Sequence, residues 1–196
     1  PIEITEEIAK EKGISIDRED FDTKMKAHQD ASRAGAEQKF KGGLANTSEQ
    51  TTKLHTAHHL LLKALQEVVN PDIHQKGSNI TEERLRIDFN FDRKLTEEEK
   101  TAVEERVNIW IAYDLNVVKR DMPKEEAEKL GAEMEFGVKY PDIVSVYFIE
   151  DKEGNHVSKE FCGGPHVEHT GLLGVFKIQK EEASSAGVRR IKAILQ

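Results

Sequence analysis

Cysteine is nearly absent from this chain of 196 residues. Cys162 stands alone, so no disulfide can form within the chain, and we expect a reducing compartment, the cytoplasm. No run of about 18 apolar residues occurs, and the sequence therefore predicts no membrane-spanning helix. Basic residues are outnumbered by acidic ones, 29 to 37, and the net charge of −8 excludes a general electrostatic attraction to nucleic acid. Any contact with RNA therefore has to be local. Because the chain starts at Pro1, we expect it to be a piece of a longer protein.

Two regions of different character follow one another along the chain. Residues 1–36 predict two helices, and Thr5 is the expected cap of the first. The glycine-containing segment 39–46 then predicts a domain boundary. We therefore expect a helical connector over residues 1–46 and a larger domain over residues 47–196.

The larger domain combines helical and strand patterns. A capping box of Thr47 and Gln50 predicts a long helix that reaches about Val69, and the same pattern at Thr96 and Glu99 predicts a second helix. Alternating or apolar runs predict strands over residues 84–91, 143–149, 175–178 and 188–191. The expected class is α+β, with helices packed on a largely antiparallel sheet.

Histidines and the single cysteine form two short groups that suit a zinc-type ion. His55 and His59 stand four residues apart on the first long helix, so both imidazoles leave the same face. Cys162 and His166 flank two glycines and a proline, a composition typical of a tight turn. Together the four residues would supply three imidazole nitrogens and one thiolate in a tetrahedral arrangement, which suits zinc.

Each of these pairs by itself is weak evidence for a metal. Paired histidines on helix surfaces are common, and a lone CxxxH turn is equally uninformative. Their joint presence in a chain with one cysteine favours the metal interpretation. The spacing leaves open whether such an ion is structural or catalytic, and no glutamate follows His55 to act as a built-in general base. His58 shares the side of Leu54 and Leu61, so we expect it in the core or behind the ligands.

Further motifs accompany these four residues in a definite order. They occupy residues 54–62, 75–78, 84–89, 162–167, 170–171 and 186–191. In this order and at these spacings, the sequence from about residue 47 to residue 195 resembles the editing domain of alanyl-tRNA synthetase. Residues 1–40 resemble the segment that leads out of the aminoacylation module of that enzyme. The editing domain of threonyl-tRNA synthetase and the freestanding alanyl editing proteins share the two ligand pairs.

The resemblance implies a deacylase that hydrolyses the aminoacyl ester of Ser-tRNA(Ala) and, more weakly, of Gly-tRNA(Ala). It implies Zn²⁺ as the cofactor, the acceptor end of tRNA(Ala) as a partner, and the remaining modules of an ATP-binding cytoplasmic ligase. Gln75 matches a glutamine that the family places at its editing pocket, and a polar loop residue is the alternative. Thr56 is a candidate for sensing the serine hydroxyl, with helix packing as the alternative. The backbone N–H groups of Gly163 and Gly164 are candidates for stabilising an oxyanion, or they belong to a tight turn.

Contacts with tRNA are expected from basic residues in or beside the motifs. The candidates that would meet phosphates of the acceptor end are Lys76, Arg84, Arg86, Arg189 and Arg190. Ordinary solvated strand faces are the alternative interpretation.

The sequence departs from the family pattern in two places. Pro165 stands where the family usually has threonine, a feature of the threonyl branch. Only residues 42–49 occupy the place where the alanyl family inserts a small β-barrel before the histidine helix. Two other functions are therefore considered: a catalytically inert, zinc-stabilised tRNA-binding module, and the editing of Ser-tRNA(Thr).

Overall fold

The computed structural model describes residues 2–37, 43–135 and 138–196. The chain divides into two compact units, Pro1–Phe40 and Lys41–Gln196. Residues 39–42 of the predicted boundary segment 39–46 lie outside the described residues. None of the described helices is both long and apolar enough to cross a membrane.

The first unit contains the two predicted helices, α1 (Ile2–Glu11) and α2 (Arg18–Glu37). The predicted cap at Thr5 is wrong, because α1 already begins at Ile2 and Thr5 lies inside it. Arg18 at the start of α2 donates a hydrogen bond of 2.8 Å to Glu6 of α1, which forms an ion pair between the two helices.

The second unit is an α+β domain. Its helices are α3 (Glu49–Val68), α4 (Glu97–Ala112), α5 (Lys124–Lys129) and a 3-10 turn at Thr170–Leu173. Its strands are β1 (Gln75–Ile80), β2 (Leu85–Asn90), β3 (Asn116–Pro123), β4 (Ile143–Glu150), β5 (His156–Phe161), β6 (Phe176–Ser185) and β7 (Val188–Leu195). They form two antiparallel sheets, of order β1-β2-β7-β6 and β3-β4-β5. The predicted class is confirmed, with two sheets where one was expected.

Helix α3 is buried on most of its surface, and this burial positions the candidate site. The helix is confirmed, but its cap is Ser48, whose hydroxyl accepts the N–H of Thr51 at 3.3 Å. The predicted capping box of Thr47 and Gln50 is therefore wrong. The helix packs against α4, against β1 and β2 of the first sheet, and against β5 of the second sheet. Leu61 and Leu65 are fully buried in this environment, and the neighbouring histidines are buried with them.

The capping box of α4 is confirmed. Thr96 and Glu99 exchange side-chain and backbone hydrogen bonds of 3.1 and 2.8 Å, which satisfies N–H groups at the helix start. The helix then buries Val103 and Val107 completely against the main core.

The strands divide into those that the sequence predicts and those that it does not. The runs at 84–91 and 143–149 are confirmed as β2 and β4, and β6 and β7 extend beyond their predicted ends. Strands β1, β3 and β5 lie in stretches for which the sequence analysis predicts no strand. None of the residues of β3 is buried, and β1 buries only Ile80. Such strands lack the apolar alternation from which a half-buried strand is recognised.

Thr170 provides a test of how the segment after the CxxxH turn is held. Its hydroxyl donates to the carbonyl of Trp110 at 2.7 Å and accepts the N–H of Leu115 at 2.9 Å. We expect Thr170→Val to lower the free energy of unfolding by about 1–3 kcal/mol, because both backbone groups lose their buried partner. Urea unfolding measures this change, and Thr101→Val at an exposed position is the control. Equal stability of the two variants would show that the two hydrogen bonds of Thr170 do not stabilise the fold.

Candidate metal centre

The two ligand pairs predicted from the sequence lie side by side in the structure. His55 and His59 are adjacent on one face of α3, and their side chains are 1% and 3% exposed. Cys162 directly follows β5, and its N–H donates to the carbonyl of Ser145 on β4 at 3.1 Å. This bond ties the start of the CxxxH turn to the second sheet. The helix and the sheet therefore present their donor atoms to one point.

The distances within the cluster fit a tetrahedral metal. Sγ of Cys162 lies 3.3 Å from Nε2 of His55 and 3.4 Å from Nε2 of His166. One donor atom from each of these residues and from His59 lies within 4.8 Å of the others. Bonds of about 2.0–2.3 Å to a tetrahedral zinc ion separate neighbouring ligand atoms by roughly 3.3–3.8 Å. The four residues thus fit such an ion in both donor type and spacing.

Hydrogen bonds to the far side of two imidazoles set their orientation. Nδ1 of His55 lies 3.0 Å from the carbonyl of Pro165, which can only accept, so this nitrogen carries the proton. Nδ1 of His166 lies 3.0 Å from the hydroxyl of Thr56. That hydroxyl also accepts the N–H of Val167 at 3.2 Å. Because the same hydroxyl donates its proton to the carbonyl of Thr52 at 3.4 Å, it accepts from Nδ1 of His166. Both Nε2 atoms therefore face the sulfur as lone-pair donors, the arrangement that outer hydrogen bonds impose on metal-binding histidines.

The close approach of the turn to α3 explains one of its glycines. A Cβ atom on Gly164 would lie 2.5 Å from Cε1 of His55 and 2.9 Å from a methyl group of Leu44. No side chain fits in this space. Hydrogen bonds from the backbone N–H groups of Gly164 and Gly163 lower the pKa of the Cys162 thiol, against the larger rise that burial causes.

Burial determines the protonation of the cluster. Desolvation lowers the pKa of His55 to about 4 and lowers the pKa values of His59 and His166 well below their usual value. All three imidazoles are therefore neutral at pH 7 and have lone pairs available. Burial also raises the pKa of the Cys162 thiol to about 12. A divalent cation would reverse this shift, because a metal-bound thiol is deprotonated.

Glu160 is a member of the site that the sequence analysis misses. It is 6% exposed, and Oε2 lies 3.5 Å from Nε2 of His59. Ser158 donates a hydrogen bond of 3.1 Å to its other carboxylate oxygen. Burial raises the pKa of Glu160 to about 8. The sequence spacing contains a signal for Glu160, because residues two apart on a strand share a face and Glu160 precedes Cys162 by two. The sequence analysis misses this signal because it does not predict β5.

A small cavity lies beside the four donors. Its volume is about 30 Å³, and besides three of the donors it is lined by His58, Leu62, Gln75, Glu133, Met134, Glu135, Glu160 and Phe161. Gln75, at the start of β1, hydrogen-bonds Glu135 through its side chain. A larger groove of about 590 Å³ shares Gln75, Glu133, Met134 and Glu135 with the cavity. Thr56 is not among the lining residues, because its hydroxyl holds His166 from behind.

Comparison with known proteins supplies the family. Residues 144–192 match the model of the threonyl and alanyl tRNA synthetase second additional domain. The alanine–tRNA ligase of Treponema denticola is 57% identical over 196 residues, which is 100% of this chain and 32% of that protein. The enzyme of Borrelia hermsii is 55% identical over 195 residues. The enzyme of Thermus thermophilus is 49% identical over 146 residues, which is 74% of this chain and 16% of that protein. The chain belongs to the alanyl-tRNA synthetase family. It spans about a third of the length of the first two of these relatives.

The basic candidates of this alanyl-tRNA synthetase segment lie in different environments. Arg86 on β2 and Arg190 on β7 flank Asp88, to which Arg190 donates hydrogen bonds of 2.6 and 2.9 Å. Arg84 donates two hydrogen bonds of 2.8 Å to Asn79. Lys76 is exposed at the wall of the larger groove.

Arg189 occupies the opposite face of the same sheet, since successive residues of a strand alternate in direction. Its Nε lies 2.5 Å from Oε1 of Glu181, a side chain with no exposed surface. The structure therefore brings Arg86 and Arg190 together and separates Arg189 from them. The pairing with Glu181 neutralises the charge of Arg189 within the domain.

The ligand assignment predicts how zinc binding responds to substitution. We expect Cys162→Ala to lose bound zinc, and Thr56→Val to keep all four donors but to bind zinc about 10–100-fold more weakly, because His166 is no longer oriented. Zinc quantification during competition with a chelator measures both effects.

His156→Ala is the matched control for these variants, because His156 pairs with Glu150 at 3.1 Å and lies outside the cluster. Retention of zinc by Cys162→Ala at the affinity of the unaltered chain would disprove the ligand assignment.

Proposed function

We propose that this chain is the editing region of an alanyl-tRNA synthetase. It hydrolyses the aminoacyl ester of Ser-tRNA(Ala) and, more slowly, that of Gly-tRNA(Ala). The observation that carries this proposal is the four-donor cluster beside a cavity of about 30 Å³ that adjoins a groove of about 590 Å³. The cavity accommodates a small amino-acid side chain, and the groove has the size of pockets that bind small ligands such as a nucleoside.

The chemistry of alanine selection explains why such a second site is needed. A pocket that accepts alanine cannot strongly reject serine, which merely adds a hydroxyl, and it cannot wholly exclude the smaller glycine. Discrimination of this kind is limited to roughly 10–200-fold per methylene group. Hydrolysis of the wrong ester at a separate site supplies the remaining selectivity.

Each residue of the site receives a role in this proposal. His55, His59, Cys162 and His166 hold a zinc ion, which when bound supplies a Lewis acid for the ester carbonyl or for a water molecule. Gln75 orients the ester or the attacking water from the wall of the cavity. Thr56 positions His166 and does not touch the substrate. The carboxylates of Glu133 and Glu135 favour the positively charged α-ammonium group of the substrate.

The partners follow from the same proposal. The acceptor end of tRNA(Ala) enters the groove, and Lys76, Arg84, Arg86 and Arg190 are the basic residues that contact its phosphates. The remaining modules of the synthetase act together with this chain, and residues 1–46 form the connector to the aminoacylation module. We place the protein in the cytoplasm, where a thiolate ligand stays reduced.

A second candidate function is a zinc-stabilised tRNA-binding module without turnover. The observation in its favour is that four protein donors complete a tetrahedral shell, as in structural zinc sites. The third candidate, editing of Ser-tRNA(Thr), is favoured by the family model, which covers both synthetases. Deacylation assays with exchanged tRNAs separate these functions.

The primary test compares three esters of the same tRNA. We expect serine to be released from Ser-tRNA(Ala) fastest, glycine more slowly, and alanine slowest of all. Cys162→Ala removes the activity together with the metal, and Gln75→Ala lowers the rate of serine release by about 10-fold or more, as expected for a group that acts on the reacting atoms. Release of radiolabelled amino acid measures each rate.

His156→Ala serves again as the control and is expected to retain full activity. A folded, zinc-loaded chain that releases no serine would support the inert module instead. Release from Ser-tRNA(Thr) but not from Ser-tRNA(Ala) would support the threonyl alternative.

The two faces of the first sheet predict different effects of arginine substitution. We expect Arg86→Gln to weaken tRNA binding and to reduce the dependence of log affinity on log salt concentration by about 0.7–0.9, because one phosphate contact is lost. Arg189→Gln is expected to lower the free energy of unfolding instead, since it leaves the buried Glu181 without its cation.

Filter binding over a salt series and chemical unfolding measure these effects. Lys26→Gln, an exposed charge in α2, is the control for the loss of one positive charge. An unchanged salt dependence in Arg86→Gln would count against this face as the RNA contact.

A further inference from the structure

His58 is the one histidine of the α3 cluster that the metal site leaves without a role. It lines the same cavity as His55 and His59 and is 2% exposed. It does not belong to the group of four candidate metal ligands. At 3.6 residues per turn, His58 is rotated about the helix axis by roughly 60° from His55 and roughly 100° from His59, so it projects beside the ligands.

Among the described residues, Nε2 of His58 and Nδ1 of His59 are buried without a hydrogen-bond partner. His59 belongs to the four candidate metal ligands, so His58 is the one of the two that the metal site leaves unexplained. By contrast, His55 and His166, whose Nε2 atoms face the sulfur, both have a hydrogen-bond partner for Nδ1. The partner is the carbonyl of Pro165 for His55 and the hydroxyl of Thr56 for His166. Buried polar side-chain atoms are nearly always hydrogen-bonded in folded proteins. An unpaired one at the wall of a cavity therefore indicates a partner supplied by what enters the cavity.

The cavity is lined by three of the four donors, so a group held in it lies against the metal position. The donor atoms approach each other to 3.3 and 3.4 Å around Cys162, which leaves no room for a water-sized group between them. The volume of about 30 Å³ is enough for one or two atoms of the size of a water oxygen. A hydroxymethyl group has two such atoms, so a seryl side chain fits this space.

We propose that Nε2 of His58 hydrogen-bonds the side-chain hydroxyl of the seryl group and so distinguishes seryl from alanyl esters. This inference rests on the proposed editing function and names the residue that provides its selectivity. A neutral imidazole can donate to a hydroxyl or accept from it. The carboxylates of Glu133 and Glu135, which line the same cavity, suit the α-ammonium group of the substrate, because opposite charges attract.

The same contact explains how the correct product is spared. An alanyl group would place a methyl beside Nε2 of His58 and leave that nitrogen unpaired, and sites that hydrogen-bond a substrate hydroxyl discriminate strongly against analogues that lack it. A glycyl group leaves the space to a water molecule, which can pair with His58. The expected order of hydrolysis is therefore serine, glycine, alanine.

The test replaces His58 by a residue of similar size without a polar atom. In His58→Leu, we expect kcat/KM for Ser-tRNA(Ala) to fall about tenfold or more, while that for Ala-tRNA(Ala) stays equal or rises, because one hydrogen bond is lost to the seryl ester alone. His58→Gln, which retains a donor and an acceptor, restores part of the preference for serine. Zinc content and the unfolding midpoint of each variant establish that the site is intact.

A binding measurement tests His58 independently of turnover. The probes are 3′-amino-3′-deoxyadenosines that carry a seryl or an alanyl group in a stable amide linkage, titrated by calorimetry. We expect the unaltered chain to bind the seryl compound about tenfold more tightly, and His58→Leu to bind both equally. An equal affinity of the unaltered chain for the two compounds, or a seryl preference that survives in His58→Leu, would overturn the role of His58. Absence of hydrolysis by the unaltered chain would instead refute the editing function.

Discussion

The convergence of α3 with the turn after β5 at the sulfur of Cys162 is the constraint on which the site depends. Two imidazole nitrogens lie 3.3 and 3.4 Å from that sulfur, and burial keeps the imidazoles neutral. A buried thiol among neutral bases is costly to ionise without a cation. A divalent cation at this point would stabilise the thiolate and use the lone pairs of the neutral imidazoles.

The rest of the fold serves to keep α3 in place. The helix contacts α4, the first sheet and a strand of the second sheet, so it is enclosed on most sides by apolar side chains. A helix surrounded in this way cannot rotate without exposing leucines. The hydrogen bonds of Pro165 and Thr56 then fix the imidazoles relative to the helix. Packing thus determines the position of the site, and a few hydrogen bonds determine its orientation.

Much of this arrangement could be predicted from the sequence, for reasons that differ between residues. The long helices carry capping residues and apolar stripes, and the four donors have spacings that a metal requires. Strands β1 and β3 could not be predicted because Ile80 is their only buried residue, so neither has a buried apolar face that the sequence would show as alternation. Glu160 could have been found from its spacing to Cys162 only if β5 had been predicted, whereas the unpaired nitrogen of His58 is apparent only in the structure, because it depends on what faces that nitrogen. The separation of Arg189 from Arg190 follows from strand alternation once β7 is known.

The great separation of the two ligand pairs along the chain has a consequence for folding. His55 and Cys162 are 107 residues apart. The segment between them contains α4 and the two other strands of β5's sheet, β3 and β4. Closing so long a loop is entropically unfavourable. The contacts formed when the intervening elements pack offset this loss of entropy. The four candidate ligands therefore come together late, and a metal ion that they bound would link the first and last thirds of the domain.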